Sequence, residues 1–360
     1  MDTAVKRQWQ KAFFYRRFGV MSEYLANPQP TTQPQAHRAG TDPPEARISP
    51  VGREAEIRKV SANGRRETTD PAISPTRLAY DGTSATFRLL RACGWGAFLN
   101  LGYFHFWDWL LRPFGLDIAQ GRLARRSIDL LELEGAANCL DVASGRGRSS
   151  FQIAMENPSV EVEAVDFLPE NVSAASYLYG NTANLNYRQG NAEALVFDAE
   201  SFDRIHCLEA AFHFDRAAFL REAHRVLRPG GRLVLVDFMF KTEKSKEILP
   251  TTEGRIVRDI WKFKDFWTCD DYRGAAESTG LEIAEEHDWS AHVTTALQHR
   301  FSLVCWAGTK PLLRRAMEKV NPLLAGISAE DWQALSVQAR ALKKIRHQLR
   351  YVGLVLRKQG

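Results

Sequence analysis

Residues 138–154, Asn-Cys-Leu-Asp-Val-Ala-Ser-Gly-Arg-Gly-Arg-Ser-Ser-Phe-Gln-Ile-Ala (NCLDVASGRGRSSFQIA), decide how the rest of the chain is read. Leu140, Val142 and Ala143 read as the end of a buried strand, Asp141-x-Ala143-x-Gly145-x-Gly147 as a tight turn, and Ser149 onward as a helix. A glycine-rich turn between strand and helix lets backbone approach a ligand closely and aims the helix's first amides at it. Phosphate ligands use such turns, but Asp141 stands four residues before Gly145. A carboxylate there repels a pyrophosphate and attracts an ammonium or sulfonium. The third glycine of the dinucleotide fingerprint is also missing, with Ser150 in its place. Asp166 closes a second expected strand, 162–166, at the position that holds ribose hydroxyls in this architecture.

Together these residues resemble the cofactor loop of class I S-adenosylmethionine (SAM) methyltransferases. The bland alternative is a turn that merely caps an ordinary strand–helix unit.

Composition bounds the reading. The 360 residues suffice for one large α/β domain plus an appendage, and 44% apolar with 25% charged residues is ordinary for a globular chain. No apolar run approaches a membrane span and the N-terminus lacks a signal-peptide core, so no transmembrane segment is expected. The five cysteines lack metal-ligand spacing, which leaves no metal expected; two of them, Cys139 and Cys207, fall in expected core strands. Reduced thiols and a cytoplasmic location are the expectation. A net charge of +5 is mild.

Residues 1–26 read as a basic aromatic helix, with Trp9, Phe13, Phe14, Phe18 and Met21 among Lys6, Arg7, Lys11, Arg16 and Arg17. Such a helix lies on a membrane surface, covers a cleft or packs on the main domain. Residues 27–74 are rich in Pro, Gln, Thr, Gly and charge without periodicity, and read as a disordered linker. An N-terminal extension, 1–74, is thus set off from a main domain, 75–360. Residues 94–114 are dense in rings and contain Asn100-Leu101-Gly102-Tyr103-Phe104. An amphipathic helix is expected over 121–133. From the organising turn onward, helix and strand signals alternate, which argues for a parallel sheet. Strands are expected at 161–166, 186–189, 202–208, 232–238, 282–289 and 351–357. Arg228-Pro229-Gly230-Gly231 reads as the turn before the fifth, and segments 241–267 and 292–349 as helical cap.

The block from Asn191 to Gly231 carries the resemblance furthest, with Asn191-Ala192-Glu193, Ser201-Phe202-Asp203, Leu208-Glu209-Ala210-Ala211-Phe212-His213-Phe214 and the Arg-Pro-Gly-Gly turn. It looks like the branch holding macrolide and sugar O-methyltransferases, mycobacterial phenolic-lipid methyltransferases and sarcosine-type N-methyltransferases. The resemblance implies a Rossmann-like seven-stranded sheet with a helical cap, SAM as cofactor and a small, hydrophobic, natural-product-type acceptor. It implies that Asp141, Ala143, Gly145 and Gly147 surround the methionyl end, Asp166 takes the ribose, and Phe167 packs on adenine beside Asn191 and Ala192. Family members more often carry Asp at the position of Asn191. Tyr103, in a stretch resembling the family's lid, and Leu208 complete that set. For a hydroxyl acceptor, His213 after the fourth strand is the expected base, with an ordinary histidine value near 6.5 if unperturbed. Asp237 is expected to orient it, and Glu209 stands next in line. Carbon methylation of an isoprenoid or aromatic ring, nitrogen methylation, and SAM binding without transfer stay open. With no Asn-Pro-Pro-aromatic motif and no dense basic patch, nucleic acid is not an expected partner; the oligomeric state is not legible.

Overall fold

The computed structural model describes residues 84–360, apart from 97, 106, 107, 109–115, 262 and 264. The described residues fall in the compact unit Glu67–Gly360. The expected N-terminal helix and linker lie outside the described residues, as do Phe106, Trp107, Trp109 and Phe114 of the aromatic stretch.

Seven strands form one sheet: β1 Asn138–Val142, β2 Glu161–Asp166, β3 Leu185–Gln189, β4 Phe202–Leu208, β5 Leu227–Phe240, β6 Leu281–Asp288 and β7 Leu349–Lys358. Their order is β3-β2-β1-β4-β5-β7-β6. The first five run parallel, while β7 inserts antiparallel between β5 and β6. The order reverses between β1 and β4. Ligands of open α/β sheets bind at such a switch point, beyond the carboxyl ends of the strands. The Rossmann-like seven-stranded sheet is therefore the observed fold.

The central strands are apolar on both faces because helices cover both. Leu140, Val142, Ile205, Cys207, Leu233 and Leu235 pack on one side with the helix Arg216–Val226, while Cys139, Val234, Val236 and Val355 pack on the other. In chain order the helices are α1 Ala85–Ala92, α2 Leu116–Asp129, α3 Arg148–Glu156, α4 Pro169–Tyr179, α5 Arg216–Val226, α6 Thr252–Trp261 and α7 Cys269–Thr279. The segment expected as helical cap holds α8 Ala296–Gly308, α9 Pro311–Val320 and α10 Ala329–Ile345. Caps explain several starts: Asp215 accepts from Ala218 N at 3.0 Å to open α5, and Ser328 with Asp331 forms a capping box on α10.

Three boundaries differ from the sequence reading. Ala143 is not strand but a turn residue at φ +56°. Helix α2 covers Leu116–Asp129 rather than 121–133, because Leu116, Ala119 and Gln120 are buried on its core face and Gly121 fits within it. Arg228–Gly231 is not a turn ahead of β5 but a bulge within it. Leu227 already pairs with Phe202, and pairing resumes at Arg204 and Arg232, with Gly230 at φ +74° turning the extra residues out.

Candidate active site

The turn after β1 is held from both sides. Gly145 (φ +55°) and Gly147 (φ +79°) occupy the left-handed region that glycine favours. A Cβ on Gly147 would sit 2.6 Å from the Tyr187 ring and 2.7 Å from the Ala175 Cβ. Tyr187 also donates its hydroxyl to Gly147 O at 2.7 Å. The glycine is thus required by the protein's own packing behind the turn.

Asp141 holds this turn from beneath. Its carboxylate is 2% exposed, accepting from Ser150 Oγ at 2.6 Å and lying 2.8 Å from His206 Nδ1, whose Nε2 is 2.9 Å from Ser127 Oγ. This buried chain joins α2, β1, β4 and α3. The carboxylate expected to attract a cation is turned inward, and it shapes the loop through these partners. His206, a strand residue with no motif around it, is the member that sequence reading left without a role in the site.

Asp166 braces the turn from β2. One oxygen accepts from Leu168 N and Asn171 Nδ2, both at 3.0 Å, and the other from Gly145 N at 2.8 Å. Burial lifts its pKa to about 6 against the pull of these donors. Since each carboxylate oxygen has two acceptor sites, the oxygen facing Gly145 keeps one for a further hydroxyl. Phe167 is half-buried, Asn191 exposed and Ala192 buried, so the strand ends of β2 and β3 present a ring and an amide beside the turn. Asn191 Oδ1 accepts from Glu193 N at 2.9 Å, fixing the loop after β3.

Across the switch point, β4 ends at Leu208, and Glu209 follows at φ +53°, a left-handed conformation that a non-glycine residue holds only under constraint. The constraint is visible. Both Glu209 oxygens face Leu101 N, at 3.0 and 3.1 Å, and one accepts from Tyr351 Oη at 2.5 Å. Glu209 therefore ties the aromatic stretch to β7. Burial drives its pKa up to about 8, the Leu101 amide and Tyr351 hydroxyl oppose, and the Asp237 charge adds. Folding thus favours its protonated form. The sign follows: its stabilising contribution is complete below about pH 4.5 and is lost as pH rises through about 8. Between these values the melting temperature of wild type, without added cofactor, is expected to fall more steeply than that of Glu209→Gln. Parallel melting curves by circular dichroism would refute it.

Tyr103 is buried, its ring stacked on His292 (4.4 Å, 12°) with the Arg126 guanidinium 4.1 Å from its centroid. Phe104 N donates to His292 O at 2.9 Å. The aromatic stretch is thus bonded to the cap as well as to Glu209. Trp95 and Phe87 pack against Trp261 of α6.

His213 lies in a short 3-10 turn, Ala211–His213, directly beyond β4. It is half-buried, its ring 4.2 Å from that of Phe212. Burial, helped by the Arg216 charge, lowers its pKa to about 3, so it is neutral at any working pH. Asp237 ends the parallel part of β5, fully buried; it accepts from Phe238 N at 2.8 Å and Tyr272 Oη at 3.2 Å. Burial raises its pKa to about 7, with the Arg216 charge opposing. It also accepts from the Phe212 amide. Its hold on the 3-10 turn therefore passes through the residue before His213. Tyr272, Arg216 and Tyr351 are members of this cluster that sequence reading missed; none sits in a motif.

Residues 140–235 match the family described as a methyltransferase domain. In this stretch the chain is similar to a methyltransferase domain. The match spans β1 to β5, so the Gly145/Gly147 turn, Asp166, Asn191, Glu209 and His213 all fall within it. The chain is 32% identical over 174 residues to the erythromycin 3''-O-methyltransferase of Saccharopolyspora erythraea, covering 46% of this chain and 53% of that enzyme. It thus spans about half the length of that relative. A wider match, 24% identical over 296 residues, covers 81% of this chain and 95% of the (+)-O-methylkolavelool synthase of Herpetosiphon aurantiacus. Among solved structures, a geranyl diphosphate methyltransferase in complex with GPP and sinefungin superposes with a TM-score of 0.59 at 16% identity, over 79% of this chain and 97% of that one. At that identity the likeness is one of fold. No described helix is long and apolar enough to cross a membrane.

Proposed function

We propose that the chain is a SAM-dependent methyltransferase acting on a small, hydrophobic, natural-product-type acceptor, with a hydroxyl as the favoured methyl acceptor. The observation that carries this reading is the division of the carboxyl edge of the sheet. The glycine turn, Asp166, Phe167 and Asn191 stand on β1 to β3, and Glu209, His213 and Asp237 on β4 and β5 across the switch point. The matched domain family and the two O-methylating relatives support it.

The residues fit the cofactor. Asp166 keeps an acceptor site for a ribose hydroxyl, Phe167 offers a ring, and Asn191 with Ala192 an amide edge. The turn of Ala143, Gly145 and Gly147, shaped by Asp141, presents backbone to the methionyl end, with Tyr103 and Leu208 closing the site. SAM supplies an electrophilic methyl, and its transfer to a hydroxyl forms a carbon–oxygen bond, breaks the carbon–sulfur bond and frees the hydroxyl proton. His213, already neutral, takes that proton, and positioning of the acceptor supplies most of the acceleration. Asp237 steadies the His213 turn through the Phe212 amide. The acceptor is walled by the described residues of the aromatic stretch 94–114 and of the segments 241–267 and 292–349.

Carbon methylation is the second reading. A cluster of rings adjoins His213: Phe212, Phe238 and Phe266 lie within 6.2 Å of one another, and Phe263 stacks on Phe266 at 3.8 Å. Ring faces stabilise a carbocation, and Glu209, once ionised, is then the proton acceptor at hand.

Calorimetric titration tests the cofactor assignment. Asp166→Ala is expected to weaken SAM binding by about 1–3 kcal/mol, through the lost ribose bond and a Gly145 amide left without its acceptor. Unchanged affinity would remove Asp166 from the site.

A further inference from the structure

Helix α9 wears its apolar side outward. At 100° per residue Leu312, Ala316, Val320, Leu313 and Met317 share one arc of Pro311–Val320, and Arg314, Glu318, Arg315 and Lys319 the other. A surface helix ordinarily buries such an arc, yet α9 has no buried residue. Met317 alone of these is packed against the cap core. Leu312 is 80% exposed and Val320 75%; Leu323, in the next 3-10 turn, is 66% exposed, and Trp306 of the preceding α8 is 52% exposed. Apolar side chains exposed together on consecutive elements mark an interaction surface.

The charges around the stripe say what kind. Residues 296–326 contain five Lys or Arg and one acid, Glu318, and Glu318 is engaged by Arg314 at 3.8 Å. Arg315 and Lys319 stay exposed on the arc bordering Leu312. An apolar stripe edged by cations is complementary to an anionic bilayer, where methyl groups enter the headgroup boundary and basic heads meet phosphates. A second copy of the chain would bring like charges together across a two-fold contact.

We propose that α9 is an interfacial helix that docks the cap on an anionic lipid surface, with Leu312, Val320 and Leu323 as the inserted residues and Arg315 and Lys319 as the phosphate contacts. The docking does not depend on which acceptor atom is methylated.

Sedimentation of the full chain with vesicles tests it. Binding is expected on phosphatidylcholine vesicles containing phosphatidylglycerol, weakly on phosphatidylcholine alone, and falling as salt screens the charges. Arg315→Gln with Lys319→Gln is expected to lower the partition coefficient by about fivefold per charge. Leu312→Ser with Val320→Ser is expected to lower it at least tenfold, with melting temperature unchanged because these side chains are exposed. No binding by wild type, or both double variants binding like wild type, would overturn the proposal. So would a dimer in sedimentation velocity that Leu312→Ser with Val320→Ser dissociates, which would give the stripe to a second copy.

Discussion

His213→Gln is expected to cut turnover by roughly 10²–10⁴-fold while leaving SAM affinity little changed, because the imidazole acts on the acceptor's proton and not on the cofactor. The structure changes the pH dependence that goes with this. An unperturbed histidine near 6.5 would make the rate fall through mildly acidic pH. Burial and the Arg216 charge hold His213 near 3, so it stays neutral throughout the neutral range, though a weaker base than a free imidazole, and the rate should stay flat through 6.5. The carboxyls of the same cluster behave oppositely. Asp237 is raised to about 7 and Glu209 to about 8, and each becomes a base only as pH rises through those values. A kcat that climbs between pH 7 and 8, with His213→Gln nearly as active as wild type, would move proton abstraction to a carboxyl and make carbon methylation the better reading. Asp237→Asn is expected to give a smaller loss, since it disturbs His213 only through the Phe212 amide.

Much of the sheet was legible because each strand announces itself locally. Residues 161–166 set Val162, Ala164 and Val165 ahead of Asp166, and 202–208 set Phe202, Ile205, Cys207 and Leu208 ahead of Glu209, with helix signals between them. Local signals also place Gly145, Gly147, Asp166 and His213 at strand ends. Long-range pairing is what a linear reading misses. Arg228-Pro229-Gly230-Gly231 has the composition of a turn, and only the bonding of Leu227 to Phe202 makes it a bulge inside β5. Tyr351 and Glu209 are 142 residues apart in sequence and meet because β7 inserts beside β5. Gly121 reads as a helix boundary, yet it lies inside α2, where a Cβ would make only ordinary contact with Phe98 at 3.7 Å, so packing does not require the glycine.

The inward turn of Asp141 has the same origin and changes what its removal does. A carboxylate facing the methionyl end, as the resemblance implies for Asp141, would on removal cost SAM binding and leave the fold intact. His206 and Ser150 would instead lose their acceptor in a dry interior, at about 1–3 kcal/mol for each group left unpaired. A cleaner probe of the turn is therefore Gly147.

Gly147→Val is expected to abolish measurable SAM binding. Two effects add at this position. A β-branched residue at φ +79° is strained by about 1–3 kcal/mol. Its Cβ would also overlap the Tyr187 ring and Ala175, which sit behind the turn on β3 and α4. The turn must then swing away from β3 and toward the cofactor side, giving up the Tyr187 hydroxyl bond to Gly147 O. Gly135→Val separates the two effects, since Gly135 has a similar φ of +75° but nothing within 4 Å of its Cβ. Both variants should lose stability from backbone strain, and Gly147→Val should lose more. Only Gly147→Val should lose the cofactor in calorimetric titration. Should Gly147→Val bind SAM like wild type while its melting temperature falls, the turn serves the fold alone and the cofactor lies elsewhere on the sheet edge.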